Sequence, residues 1–284
     1  MRFNENEIKF INENYPSMGS RYCANELNFT IPQIQEFARR NKLKILNRSK
    51  ACLYYRSLIK TTFNHETITS INSSEAAYVL GFLWADGSLG NSKNCGISSE
   101  IVSEDMLFIK PILDKLGPWR YYERQRMNWK PITSATINNR LLYEFLIDND
   151  YGIKSTTSPC KILDKIPDNL KHYFFRGLID GDGCFYVNAK QYLYQFSITS
   201  TLTQNWKFFT GLLERLGIRY HIKYTEKINK KSEKFNSDSC LRITNKNEIL
   251  KLGEYIYFDF ESDKIGLPRK YEKYNLIKKK NIKN

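Results

Sequence analysis

Two stretches of this chain repeat each other, and that repeat limits the possible folds more than any other feature. Val79–Gly87 reads VLGFLWADG and Phe175–Gly183 reads FRGLIDGDG, each an apolar run closed by Asp-Gly, with Asp86 and Asp182 lying 96 residues apart. Each run follows a helix-capping signal, Ser73 or Ser74 in the first copy and Asp168 in the second. The likeness continues downstream. The segment ISSEIVSEDMLFIKPILDKLG, ending at Gly117, parallels SITSTLTQNWKFFTGLLERLG, ending at Gly217, at an offset of 100. Both read as a strand, a cap and an amphipathic helix stopped by glycine. Alternating segments follow, Trp119–Arg126 and Arg219–Thr225, and then a strand and helix in each copy. Each half therefore reads helix, two strands, helix, two strands, helix. The expected architecture is α+β: two pseudo-symmetric half-domains of order αββαββα, each with a four-stranded antiparallel sheet.

The N-terminal part follows another pattern. ENEIKFINENY, MGSRYCANELN and TIPQIQEFARRNKL read as three short helices sharing Ile8, Ile11, Leu27, Ile31, Ile34 and Phe37, with Thr30 and Gln33 at capping-box spacing. The third helix would expose Gln33, Gln35, Arg39 and Arg40, the face a recognition helix offers to DNA. The segment resembles a helix-turn-helix, and a small packing bundle is the plain alternative. The expected domains are residues 1–70, 71–160 and 161–284, with the connection between halves in residues 148–171, around Pro159 and Pro167.

Charge points to a polyanion. The formal net charge is +14, with 11 basic and 6 acidic residues in 1–70, 8 of each in 71–147, and 25 against 16 in 148–284. From Lys264 onward, 8 basic residues stand against Glu272 alone, the composition of a phosphate-contacting arm or a solvated tail. Six cysteines at scattered spacings argue against a disulfide framework and against a zinc site. No run reaches the roughly 18 apolar residues of a membrane span, and the N-terminus has no apolar signal region. No membrane association is expected, and the expected location is the cytoplasm of a bacterial or phage-infected cell.

A single Asp-Gly after an apolar run is an ordinary helix stop. Two copies in a repeat carry more, because small residues such as Gly81 and Gly177 let two helices approach and bring Asp86 and Asp182 together. Adjacent carboxylates repel unless a cation neutralises them, and hard oxygen-ligating divalent ions suit that role beside phosphates. The two motifs resemble the signature of LAGLIDADG homing endonucleases, of the type with two motifs in one chain, and the resemblance covers roughly residues 72–260. It implies motif helices at the interface between half-domains, saddle-shaped sheets straddling double-stranded DNA, and a monomer. It also implies metal-dependent hydrolysis of both strands at a long asymmetric target. Asp86 and Asp182 take the metal and catalytic roles, with Ala85 and Gly181 immediately before them counted in the metal set. The expected cofactor is Mg²⁺, with Mn²⁺ as substitute and Ca²⁺ supporting binding without cleavage. The earlier acid of the motif is Asp180 in the second copy but Trp84 in the first, and it is left out of the catalytic set.

Supporting residues are less distinct. Arg124 and Lys223 sit at similar offsets from the glycines that stop the preceding helices, and are the expected supporting cations. Arg120, Tyr122 and Arg126 in the first half, and Arg219 and His221 in the second, share faces with them and are expected on DNA. In the hairpin FYVNAKQYLYQFSIT, Phe185, Val187, Phe196 and Ile198 should point to the core. Tyr186, Asn188, Gln195 and Ser197 should face DNA, with Lys190 and Gln191 in the turn. Two other functions use such a scaffold: a non-cleaving DNA-binding regulator, and a maturase that binds intron RNA.

Overall fold

A computed structural model of the chain describes residues 3–46, 66–125, 127, 129–188, 191, 193–228 and 235–279. The chain forms two compact units, residues 1–64 and 65–284. In the first, α1 (Glu5–Leu27) kinks at Gly19, whose φ is 79°, and α2 (Ile31–Arg40) follows. The kink divides α1 into the two expected helices, so the three-segment reading corresponds to three helical runs. The Thr30 amide donates to Gln33 Oε1 at 2.8 Å, the backbone side of the expected capping box. Ile11, Tyr15, Cys23, Ala24, Ile34 and Ala38 form the core of this unit. Ile31, expected in that core, is exposed, because at the first position of its helix it lies off the face that Ile34 and Ala38 bury.

The second unit begins with a short helix, α3 (Glu66–Thr69). Residues 65–70 belong here and not with the N-terminal segment, since Ile68 and Ile71 are buried in this unit's core. The first half runs α4 (Ser74–Asp86), β1 (Gly87–Leu89), β2 (Gly96–Val102), α5 (Ser103–Leu116), β3 (Arg120–Arg124), β4 (Ile132–Asn138) and α6 (Arg140–Asp148). A connection containing α7 (Cys160–Lys165) leads to the second half. There the order is α8 (Lys171–Asp182), β5 (Gly183–Asn188), β6 (Leu193–Thr201), α9 (Lys207–Arg215), β7 (His221–Ile228), β8 (Phe235–Ile243) and α10 (Lys246–Tyr257). Two more helices close the described chain, α11 (Phe260–Asp263) and α12 (Pro268–Lys279).

The halves share one topology. Their sheets are antiparallel, in orders β1-β2-β4-β3 and β5-β6-β8-β7. Register sets which residues enter the core: Phe185 pairs with Phe196 and Gly183 with Ile198, so Phe185, Phe196 and Ile198 are buried on the helix side and Val187 is half-buried. One continuous core then joins both halves through α4 and α8.

These two helices are buried on nearly every face, and their backbones touch. A Cβ at Gly81 would stand 1.9 Å from the Phe174 carbonyl oxygen, and one at Gly177 would stand 2.1 Å from that of Tyr78. Backbone cannot move aside as a side chain can, so the crossing excludes any larger residue. We predict that Gly177→Ala lowers the unfolding free energy by about 2–4 kcal/mol. Gly211→Ala is the control: it lies in α9 with nothing within 4 Å of its added methyl and should stabilise by roughly 0.5–1 kcal/mol. Urea denaturation of both variants tests the contrast, and equal effects would exclude the close approach as the cause.

Candidate active site at the paired helix ends

The helix pair ends in two acids. Asp86 closes α4 and Asp182 closes α8, and among the described residues neither carboxylate has a hydrogen bond or ion pair. Gly181 lies against the partner motif: a Cβ there would be 2.4 Å from that of Ala85 and 3.1 Å from Asp86 Oδ2. That is why the residue before the acid is glycine in one motif and can be alanine only in the other. Protein crowds both acids. Loss of water, then repulsion from Asp182, raises the Asp86 pKa to about 6. Loss of water also raises Asp182, although this residue is exposed to solvent, and Lys154 and Lys270 pull it back.

Those two lysines are the main cations of the site, and their placement is symmetric. Lys154 Nζ donates to the carbonyls of Leu83 (3.2 Å), Ala85 (2.8 Å) and Gly87 (2.5 Å). Lys270 Nζ donates to the carbonyls of Ile179 (3.3 Å) and Gly183. Under the 96-residue offset of the motifs, Leu83 matches Ile179 and Gly87 matches Gly183. Each ammonium therefore caps the C-terminal carbonyls of its own motif helix, where the helix dipole favours a positive charge. Burial pushes both lysine pKa values down, while Asp182 and Asp86 oppose this at Lys154 and Asp180 opposes it at Lys270. A cleft of about 170 Å³ opens beside Asp182 and Lys154, walled in part by Trp84, Trp206 and Phe208.

Other residues named from sequence lie elsewhere. Arg124 pairs with Glu100 and also donates to Ser134 Oγ at 3.0 Å, on the exposed face of the first sheet. Lys223 pairs across strands with Cys240 and is exposed on the second sheet. Neither figures among the charges acting on Asp86 or Asp182. Position relative to a helix-stop glycine marked the sheet face, not the helix ends. Lys154 and Lys270 escaped sequence reading because each lies outside the repeat, Lys154 in the connection between the halves and Lys270 on α12.

The sheet faces collect most of the expected DNA-facing residues. Arg120 donates to Asn138 Oδ1, and Tyr122 is 53% exposed. Tyr186 and Gln195 pair, as do Ser197 and Arg242, and His221 pairs with Arg242 in turn. Arg242 thus joins this face, a position not singled out from sequence. Asn188 Nδ2 donates to Gln191 Oε1 at 2.9 Å across the hairpin turn. Arg219 is exposed and paired with Glu248 at 2.7 Å. Arg126 and Lys190 lie outside the described residues. In the N-terminal unit, Gln33 is half-buried and Gln35, Arg39 and Arg40 are exposed, both arginines bonding Glu36. The basic segment after Lys264 is not a free arm as far as it is described. Most of it forms α12, with Tyr274 and Ile277 buried, Lys270 turned into the site and Arg269 paired with Asp105.

Asp180, the earlier acid of the second motif, is buried. It accepts from Tyr78 Oη and from the Leu267 amide, both at 2.8 Å. The equivalent Trp84 packs edge-on to Tyr151, whose hydroxyl donates to the Leu80 carbonyl at 2.7 Å.

A divalent cation fits the acid pair: the two carboxylates are hard oxygen donors, both unpartnered among the described residues, and Asp182 repels Asp86. Because the folded pKa of Asp86 lies above its ordinary 3.8, the stability tied to it is full below about pH 4 and lost as pH rises through about 6. We therefore expect Asp86→Asn to stabilise by about 1–2 kcal/mol at about pH 8, a gain that disappears below about pH 4. Mg²⁺ should raise the wild-type Tm at the higher pH and leave that of the variant nearly unchanged. Calorimetry across this range checks both, and a pH-independent gain would rule out the ionised acid as its source.

The family model described as LAGLIDADG-like domain matches residues 169–257. Among solved structures, the LAGLIDADG homing endonuclease I-SmaMI bound to cleaved DNA is 18% identical, with 72% of this chain and 87% of that one covered and a TM-score of 0.44. Mesophilic variants of the homing endonuclease I-DmoI are 14% identical over 74% and 100% of the two chains, with a TM-score of 0.46. Full-length DUF199/WhiA from Thermatoga maritima is 17% identical over 78% and 68%, with a TM-score of 0.43. No curated protein matches the sequence. Residues 169–257 thus form a LAGLIDADG-like domain, the family to which the paired Asp-Gly motifs pointed, and residues 74–148 repeat its order of helices and strands.

Proposed function

We propose that this chain is a divalent-metal-dependent, site-specific endonuclease that cuts both strands of double-stranded DNA. The observation that carries this reading is the pair of unpartnered carboxylates, Asp86 and Asp182, at abutting helix ends flanked by Lys154 and Lys270. Asp86 and Asp182 hold the cation. A hard divalent ion there supplies Lewis-acid stabilisation of charge on the phosphate, and Mg²⁺ is the expected species, with Mn²⁺ able to replace it. Lys154 and Lys270 hold positive Nζ atoms beside it, fixed by backbone carbonyls, so little reorganisation is needed as negative charge develops. Trp84 and Phe208 wall the cleft and limit water at its rim.

Recognition falls to the polar sheet faces. Tyr186, Gln195 and Ser197 on one sheet and Arg120 and Tyr122 on the other present donors and acceptors suited to base edges, with Arg219, His221 and Arg242 suited to phosphates. Two non-identical faces in one chain suit an asymmetric target and a monomer. Gln35, Arg39 and Arg40 of the N-terminal unit would extend the footprint, tethering raising affinity without new contacts at the cut.

The test is cleavage of a randomised double-stranded library with Mg²⁺, comparing wild type with Asp86→Asn and Asp182→Asn at fixed salt. Cuts at one long sequence are expected, with each variant at least about 100-fold slower and DNA still bound. Specific DNA binding without cutting in Mg²⁺ or Mn²⁺ would replace this reading with a non-cleaving regulator. Preferential, salt-sensitive binding of intron RNA would replace it with a maturase.

A further inference from the structure

Each lysine of the site sits on a segment that the opposite half grips. Lys154 follows the first half, yet the next residues are held by the second: Thr201 Oγ1 donates to the Ser155 carbonyl, and Gln204 Nε2 donates to that of Thr157 at 2.6 Å. Gln204 is buried and its Oε1 accepts from Ser200 at 2.8 Å, so its orientation is fixed. Lys270 follows the second half, yet its neighbour Arg269 is held by the first. Arg269 Nε and one terminal nitrogen donate to the two carboxylate oxygens of Asp105, both at 2.6 Å. Asp105 is itself buried, and the bidentate geometry fixes direction as well as distance.

The two grips occupy one place in the repeat. Asp105 lies in the first turn of α5 and Gln204 just before α9, and the 100-residue offset of those segments matches Asp105 to Asn205, next to Gln204. Equivalent points in the two halves therefore reach across in opposite directions with different chemistry, an ion pair on one side and amide hydrogen bonds on the other.

We propose that Asp105 and Gln204 are positioning residues, each setting the opposite half's lysine at the acid pair, so that neither half alone assembles its own cation. The catalytic consequence rests on the nuclease reading, but the positioning itself does not. With Arg269 released, the start of α12 loses its tie to the first half and Lys270 leaves the Ile179 and Gly183 carbonyls. With Gln204 removed, the same follows for Lys154. Because the lysines stand on opposite sides of a pseudo-twofold arrangement, the two losses should fall on opposite DNA strands.

The first measurement uses the full chain without DNA or metal: amine-reactive labelling at fixed pH, read lysine by lysine by mass spectrometry. Asp105→Asn, and independently Arg269→Gln, should raise labelling of Lys270 several-fold and leave Lys154 unchanged, while Gln204→Met should do the reverse. General loosening would raise both lysines together and would overturn the proposal, as would no change. The second measurement uses a target plasmid labelled on each strand. Asp105→Asn should slow one strand and Gln204→Met the other, each on the order of tenfold, so that nicked intermediates of opposite polarity accumulate. Asp105→Glu should keep part of the rate that Asp105→Asn loses. If wild type cuts no DNA, the nuclease reading fails while the labelling still decides positioning. If it cuts and both variants slow both strands equally, positioning fails alone.

Discussion

Everything in the main unit depends on two helices approaching until their backbones touch. Gly81 and Gly177 give up side chains so that the Phe174 and Tyr78 carbonyls can occupy that space. The helices are then buried almost all round, and one core serves both halves. Such an approach fixes the relative height of the helices as well as their distance. Their last residues, Asp86 and Asp182, consequently emerge side by side with no freedom to drift apart.

Holding the acids at the helix ends carries an electrostatic cost: loss of water raises the proton affinity of both, repulsion from Asp182 adds to it at Asp86, and the fold offsets only part of it. Lys154 and Lys270 reach the same place by satisfying carbonyls that every helix end leaves unpaired. A single ammonium thus serves as backbone cap and as countercharge. The same economy keeps the lysines still, since three carbonyls hold Lys154 and two hold Lys270. The residual repulsion between the acids is what a bound cation would relieve.

The repeat made much of this legible. VLGFLWADG and FRGLIDGDG located both motif helices and both acids, and strand alternation through FYVNAKQYLYQFSIT sorted Phe185, Phe196 and Ile198 inward. Sequence was silent where contact is nonlocal and falls outside the repeat. Lys154 stands 68 residues beyond Asp86 and Lys270 88 beyond Asp182, in segments of unlike sequence, and Asp105 meets Arg269 across 164 residues. Arg124 and Lys223 had the right charge and a repeated offset, yet strand register directs them to the sheet faces. Composition also misled about the tail, since basic residues after Lys264 suggested an exposed arm, whereas Tyr274 and Ile277 anchor a packed helix.

The difference between Trp84 and Asp180 decides which halves can pair. Under the motif offset, Tyr78 corresponds to Phe174 and Trp84 to Asp180, and the bond from Tyr78 to Asp180 joins unlike partners. Two copies of the first half would bury a tyrosine hydroxyl opposite an indole, with no acceptor. Two copies of the second would bury a carboxylate opposite a phenyl ring, with the donor from the facing helix lost and only the Leu267 amide of its own half left to it. Either mismatch removes a hydrogen bond that the natural pair makes inside the dry interface. The bond thus acts as a lock between two unlike halves, and self-pairing of either half is disfavoured by the loss of the bond that holds the natural pair.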